Sequence, residues 1–401
     1  MAYDILIIGA GLSGLFAGCL AARRRKKTLL LARGVGGTHI GAGTIGVADD
    51  PSLVKRPPPD HPYAAVGKKS MQAALDEFRI ICAEAGYPMR GEPGKNFSLP
   101  TATGAARHAC LIPETMIAGD LSRPEPFALA HFPGFRDFSA AFAAANIRLQ
   151  ITNHQLPIAL PLPHLPIHRD SYATDIARLF DRPDYRNEVI AAWEPSLAGA
   201  PKRIGLPAAL GLQCALEAKR HIESALGLEL FEIPILPPSV PGLRLFNLLR
   251  DDFQNHGGRL IIGPTVKGRI ENGTAAVSAD TNGRVKDYKA EVVILASGGF
   301  LNGGLIAKFD GAIHDSVFGL PIEAPAQRSA WTSEHFLGPH PFAKFGLRVN
   351  KTLQPLDANG KPAAPNLRAI GSILAGADRL SEGSREGIEL ASAWRAVETT
   401  A

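Results

Sequence analysis

Apolar residues fill positions 5–8 (ILII) without a break, and the run ends on Gly9. Such a run suits a central parallel strand covered on both faces. Beyond it, Leu12, Leu15, Phe16, Cys19 and Leu20 recur at helical spacing and mark the buried face of a first helix. Residues 28–31 (TLLL) give a second strand. From about residue 51 to 235 the pattern loses its regularity. Proline-rich stretches such as KRPPPDHP and LPIALPLPHLPIH alternate there with helical segments at 71–85 and 171–180. Order returns with a helix around Leu243, Phe246 and Leu249 that closes near His256 and Gly257. A strand at 259–262 follows, then short strands punctuated by the turn dipeptides Asn272–Gly273 and Asn282–Gly283. A buried strand at 292–295 runs straight into Ala296, Ser297, Gly298 and Gly299. NLRAIGS, from residue 366, then supplies a last strand before a terminal helix that starts around Ser384.

Strand, turn, helix and strand at the N-terminus form the setting in which a glycine motif carries meaning. Gly9, Gly11 and Gly14 spell GxGxxG. The first allows a tight turn, the second lets a phosphate approach the backbone, and the third lets helix and strand pack closely. The helix N-terminus behind them offers free N–H groups to the phosphate. The usual companion is an acidic residue about 20 positions later, which holds the adenosine ribose. Ala32 and Arg33 stand there instead, and no Asp or Glu occurs between Asp4 and Asp49. Three ligands fit this pattern: NADP with Arg33 on its 2′-phosphate, FAD held without the ribose contact, and FMN, which has no adenosine. A second glycine-rich loop, GGTHIGAGTIG at 36–46, can bring backbone close to a ring or phosphate. The residues expected at the cofactor are Gly9, Gly11, Leu12, Ser13, Gly14, Ala32, Arg33, Gly43, Thr44, Ala296, Ser297, Gly298, Gly371 and Ser372. The start of the terminal helix is suited to negative charge developing on a reduced flavin.

At 401 residues the chain has room for two domains. The expected division is a cofactor domain of 1–65, 236–310 and 346–401, with an insertion at 66–235 and a return to it at 311–345. A net charge of +5 is too diffuse to argue for nucleic acid. The run RRRKK reads as cations at the end of the first helix. Cys19, Cys82, Cys110 and Cys214 lie far apart with no CxxC pair, so they provide no iron–sulfur or zinc ligand set and fit a reducing compartment. His154, His164 and His168 cluster across prolines at spacings that do not share a helix face, so they read as loop residues and no metal is expected. No apolar run reaches about 18 residues, so no transmembrane helix is expected. Positive charge follows the apolar N-terminal stretch rather than preceding it, unlike a signal peptide.

GAGLSG, the helix–strand–meander block, LASGGF and NLRAIGS occur in an order that resembles the two-domain flavoproteins of the glutathione-reductase-like class. The resemblance implies an α/β fold: a flavin-binding Rossmann domain with an inserted α+β substrate or cap domain. LPPSVPGLRLFNLL, VVILASGGFLNGGLIA, FGLPI, FGLRVN and NLRAIGSILAGAD narrow it to the B-subunit family of bacterial anaerobic glycerol-3-phosphate dehydrogenases, to which HFPGFRDF and SYATDIARLFD are also similar. The resemblance implies an FMN-type flavoprotein (FAD being the alternative) that transfers electrons in a complex oxidising sn-glycerol 3-phosphate to dihydroxyacetone phosphate and reducing quinone. It implies two partners, an FAD-containing dehydrogenase subunit and an iron–sulfur subunit associated with the membrane. It also implies a cytoplasmic location, peripheral on the inner face of the membrane. NADP fits this family least, because both later glycine-rich segments face a flavin. A family turn rich in glycine and cysteine is replaced here by LSEGSREGIEL, so no thiol role carries over.

Candidates for an anion or substrate pocket are Ser239, Arg244, His335, His340 and Arg348; no catalytic base is assigned. Arg244 reads equally as a pairing residue on the first turn of a helix. Arg385 and Glu386 read as helix-end charges. A stand-alone FAD-dependent dehydrogenase of another small substrate and a scaffold subunit with a vestigial flavin site remain as alternatives.

Overall fold

The computed structural model describes residues 2–149, 158–162, 171–322 and 324–400. His154, His164 and His168 lie outside the described residues. The chain forms two compact units. One comprises Met1–Gly37, Gly46–Ile81 and Leu248–Ala401, and the other Thr38–Ile45 and Cys82–Asn247.

The first unit is built on a seven-stranded sheet. β1 (Ala2–Ile8) lies at its centre because its last four residues have no polar side chain to satisfy. It pairs in parallel with β2 (Thr28–Ala32) on one side and with the strand Arg284–Leu295 on the other. Arg259–Ile262 extends the sheet beyond β2, and Leu367–Ala369 pairs in parallel with the end of Arg284–Leu295. The long strand does two jobs. Its apolar end joins the parallel sheet, while its polar start forms an antiparallel meander with Thr274–Thr281 and Thr265–Glu271, joined through the Asn272 and Asn282 turns.

Helix α1 (Leu12–Arg23) follows β1 and is buried from Leu12 to Ala22. Five glycine and alanine positions, Gly14, Ala17, Gly18, Ala21 and Ala22, allow this. A Cβ on Gly18 would stand 3.1 Å from the Phe253 ring. The Cys19 thiol donates to the Leu249 carbonyl at 3.1 Å, a packing role for a small buried sulfur. Arg23 stands in the last turn of α1, where a cation suits the helix dipole, and pairs with Asp252. The terminal helix Arg385–Glu398 packs against α1.

The second unit carries a four-stranded sheet in the order Glu229–Ile233, Arg203–Pro207, Phe127–His131, Ile158–Pro161. All three pairings are parallel. Antiparallel character is confined to short pairs such as Phe97–Pro100 with Ala106–Ala109. An aromatic cluster fills the core beneath the sheet. Phe132 stacks on Trp193 at 5.9 Å, and Phe180 lies 6.1 Å from the same indole. The helical segments read from the sequence occur here as Ala173–Phe180 and, with all but its last three residues in the first unit, as Lys68–Glu84. The helix Val240–Asn255 contributes residues to both units.

Candidate functional site

The chain leaves β1 at Ile8 and turns at Gly9, whose φ of +116° excludes most side chains. A Cβ there would also overlap the Ala296 carbonyl, which lies where Arg284–Leu295 ends beside β1. Gly14 is closed off in the same way, because a Cβ would overlap the Gly9 carbonyl oxygen. Gly11 differs from both: nothing lies within 4 Å of the Cβ position. Gly11 is also the N-cap of α1, with no side-chain cap and no acid in the first turn. The first N–H groups of a helix have no partner within it. Open space therefore adjoins an uncapped, partially positive helix end. This is the arrangement that a phosphate requires.

Other elements close around this turn within the first unit. Gly36 lies against Gly11, and a Cβ on it would stand 2.6 Å from Gly11 Cα. The turn Gly371–Ile373 presses on the first turn of α1, so closely that a Cβ on Gly371 would overlap the Ser13 hydroxyl. Gly371 N–H donates to Ser392 Oγ at 2.9 Å, and Ser372 Oγ donates to Glu389 Oε1 at 2.7 Å. Both acceptors belong to the terminal helix. Ser297 Oγ is buried and has no hydrogen-bond partner among the described residues. Asn302 packs its Cβ 2.7 Å from the Cβ position of Gly298. Gly9, Gly11, Leu12, Ser13, Gly14, Ala296, Ser297, Gly298, Gly371 and Ser372 are thus brought together. Ala32 is buried at the end of β2, and its carbonyl accepts from Gly263 N–H at 2.8 Å; Arg33 is exposed.

Electrostatics at the start of the terminal helix are unusual. Burial pushes the Glu389 carboxyl up, against the opposing effect of Arg385 and Ser372. Glu389 raises Arg385, while burial lowers Arg379, whose Nε has no partner among the described residues. Burial also raises Glu382, but hydrogen bonds with His61 and Ser384 outweigh it and hold this carboxyl below the usual range. Sequence reading passed over Asn302, Glu389 and Arg379 and treated Arg385 as a helix-end charge. The spacing of four between Arg385 and Glu389 is the one local signal of their pairing.

The remaining candidates are placed otherwise. Gly43 and Thr44 belong to the second unit. There a Cβ on Gly43 would stand 2.5 Å from Pro241 Cβ, and the Thr44 hydroxyl accepts from Arg107 Nε at 3.0 Å. Ser239 is fully buried. Its hydroxyl donates to the Gly41 carbonyl at 2.6 Å and accepts from Gly242 N–H at 3.2 Å, so it fixes a loop against a helix start. Arg244 is not available to grip a phosphate, because its guanidinium is occupied by Glu232 and the Gly211 carbonyl. His340 has both ring nitrogens engaged locally, with Ser333 N–H at 3.0 Å and the Phe336 carbonyl at 2.8 Å. His335 and Arg348 are exposed and stand in the first unit.

A parallel sheet whose first turn opens one glycine beside an uncapped helix end defines a Rossmann-type nucleotide-binding protein. The family model described as FAD binding domain matches residues 4–117 and 187–388. The B-subunit of anaerobic glycerol-3-phosphate dehydrogenase from Pectobacterium atrosepticum is 30% identical, across 99% of this chain and 98% of that one. Its counterpart from Yersinia pestis is 29% identical, across 98% and 96%. This chain belongs to the FAD binding domain family and, within it, to the B-subunit family of anaerobic glycerol-3-phosphate dehydrogenases. It is a flavoprotein of an oxidoreductase family. Among solved structures, a 3-ketosteroid delta1-dehydrogenase from Sterolibacterium denitrificans shares a TM-score of 0.45 at 10% identity, covering 100% of this chain and 99% of that one.

Proposed function

We propose that this chain is the flavin-carrying electron-transfer subunit of an sn-glycerol-3-phosphate:quinone oxidoreductase. The observation that carries the reading is end-to-end similarity to the B-subunit proteins, over 99% of this chain and 98% of the relative. The proposed partners are an FAD-containing dehydrogenase subunit, which oxidises glycerol 3-phosphate to dihydroxyacetone phosphate, and an iron–sulfur subunit at the membrane. Two features favour a need for partners. No helix among the described residues is long and apolar enough to cross a membrane, and the four cysteines supply no cluster ligand set. The location proposed is the inner face of the cytoplasmic membrane, reached through those partners.

The residues fit a flavin. Gly11 and the uncapped start of α1 would receive its phosphate. Ser297, Gly298 and the turn at Gly371 and Ser372 would line the remainder. A bound flavin supplies a group that accepts electrons in pairs and releases them singly. The chain's part is to hold that group, exclude water and set the charge around it.

FMN is our first reading of the ligand, because Ala32 leaves no carboxylate for an adenosine ribose. FAD is the second, favoured by the match to an FAD binding family. The test is the visible spectrum of the purified chain, identification of the flavin released on denaturation, and glycerol-3-phosphate:quinone assays with and without the two partners. A colourless protein that takes up neither flavin would overturn the reading. Full turnover by the chain alone would replace it with a stand-alone dehydrogenase.

A further inference from the structure

Arginine at the first position of a helix opposes the helix dipole, which favours anions at that end. Arg385 holds this position in the terminal helix, so its presence there is not explained by helix stability. Its ion pairs are loose. Glu386 and Glu389 approach its Nε only to 3.9 Å and 3.7 Å, and the guanidinium donates no hydrogen bond among the described residues. Its Nη2 stands 3.9 Å from the Cβ position of Gly37, and Asn302 Nδ2 stands 3.5 Å from the same point. Two donors thus stand beside the same backbone position. The neighbouring Gly36 lies on Gly11, at the open end of α1.

We infer that Arg385, assisted by Asn302, is the cation of the flavin site and takes negative charge from the bound flavin. The inference rests on the flavin reading above. Two parts of the ligand carry such charge, the phosphate and the ring when reduced, and both suit a planar fork of donors. Glu389 offsets that charge only in part: Ser372 Oγ donates to its Oε1, and its burial disfavours the ionised form.

The experiment compares flavin-free wild type with Arg385→Gln in titrations with riboflavin, FMN and FAD, and measures the midpoint potential of each loaded protein. Contact with the phosphate predicts about tenfold or greater weakening for FMN and FAD with riboflavin unchanged. Contact with the reduced ring predicts a lower potential, by about 30 mV for each tenfold loss of preference for the reduced form. Either result supports the inference. Equal affinities for all three flavins, together with an equal potential, would overturn it. Melting of the flavin-free proteins checks the fold. Should Arg385→Gln melt early, Arg385→Met, which removes the charge and keeps much of the apolar stem, is read by the same criteria. Failure of wild type to bind any flavin would instead sink the flavin reading itself.

Discussion

Arg244 Nη1 lies 2.6 Å from Glu232 Oε2 and Nη2 lies 2.8 Å from Oε1, with the two side chains 3% and 0% exposed. The same guanidinium donates to the Gly211 carbonyl, and Glu232 Oε1 accepts from Leu210 N–H at 2.9 Å. Burial opposes ionisation of both partners, and their mutual attraction overrides it: Glu232 stays below, and Arg244 above, its ordinary value. The pair clips the segment after Arg203–Pro207 to the strand Glu229–Ile233 and to the helix Val240–Asn255.

Removing one partner leaves the other charged and dry. Arg244→Met is expected to cost about 3–5 kcal/mol of stability, the usual result of breaking a buried pair. Glu232→Gln in the same chain should recover part of that loss. Urea denaturation of the single and double variants measures both. A loss below about 1 kcal/mol would show that water reaches the pair.

Gly11 and Gly14 separate binding from folding. The space at Gly11 is open and its φ of −74° suits any residue, so Gly11→Val should leave the flavin-free chain as stable as wild type, within about 0.5 kcal/mol. Its flavin should nonetheless be lost on gel filtration. Gly14→Ala forces a methyl into the Gly9 carbonyl, so it should cost about 1–3 kcal/mol of stability in the absence of flavin. Thermal melts and the flavin-to-protein ratio distinguish the two.

Glu389 supplies a pH signature. Burial raises its carboxyl above the ordinary value of 4.5. The folded chain therefore holds this proton over a range where the unfolded chain has released it, and stability falls as pH rises through that range. Glu389→Gln has no proton to lose. The melting temperature of the variant minus that of wild type, both flavin-free, should become more positive from pH 4.5 upward. A difference that is flat, or that grows toward acid, would refute the assignment.

Ala32→Glu decides between the ligands. If FMN is native, no ribose diol awaits the carboxylate, and affinity for FMN should be unchanged or weaker. If FAD is native, the new contact should improve FAD binding about tenfold, the value of one charge-assisted hydrogen bond. Separate titrations of flavin-free wild type and variant with FMN and FAD read the outcome.

The sequence by itself determined what depends on neighbours in the chain. The apolar run of β1, the glycine spacing after it and the small-residue face of α1 fix one strand–turn–helix unit. Their reasons are steric and local: φ at Gly9, contact at Gly14 and open space at Gly11. The Asn272 and Asn282 turns and the Ser384 helix start were legible for the same cause. Tertiary structure alone decided which polar groups face the site. Ser239 and Arg244 lie in a stretch resembling the family closely, yet both are consumed in packing by Gly41, Gly211 and Glu232. Arg385 carried only the pattern of a helix-end charge. Its half-buried donors acquire meaning because Gly37 and Asn302, brought from distant parts of the chain, stand beside them. Whether a charge is paired or free depends on what long-range folding places within hydrogen-bond reach, and periodicity along the chain does not encode that distance.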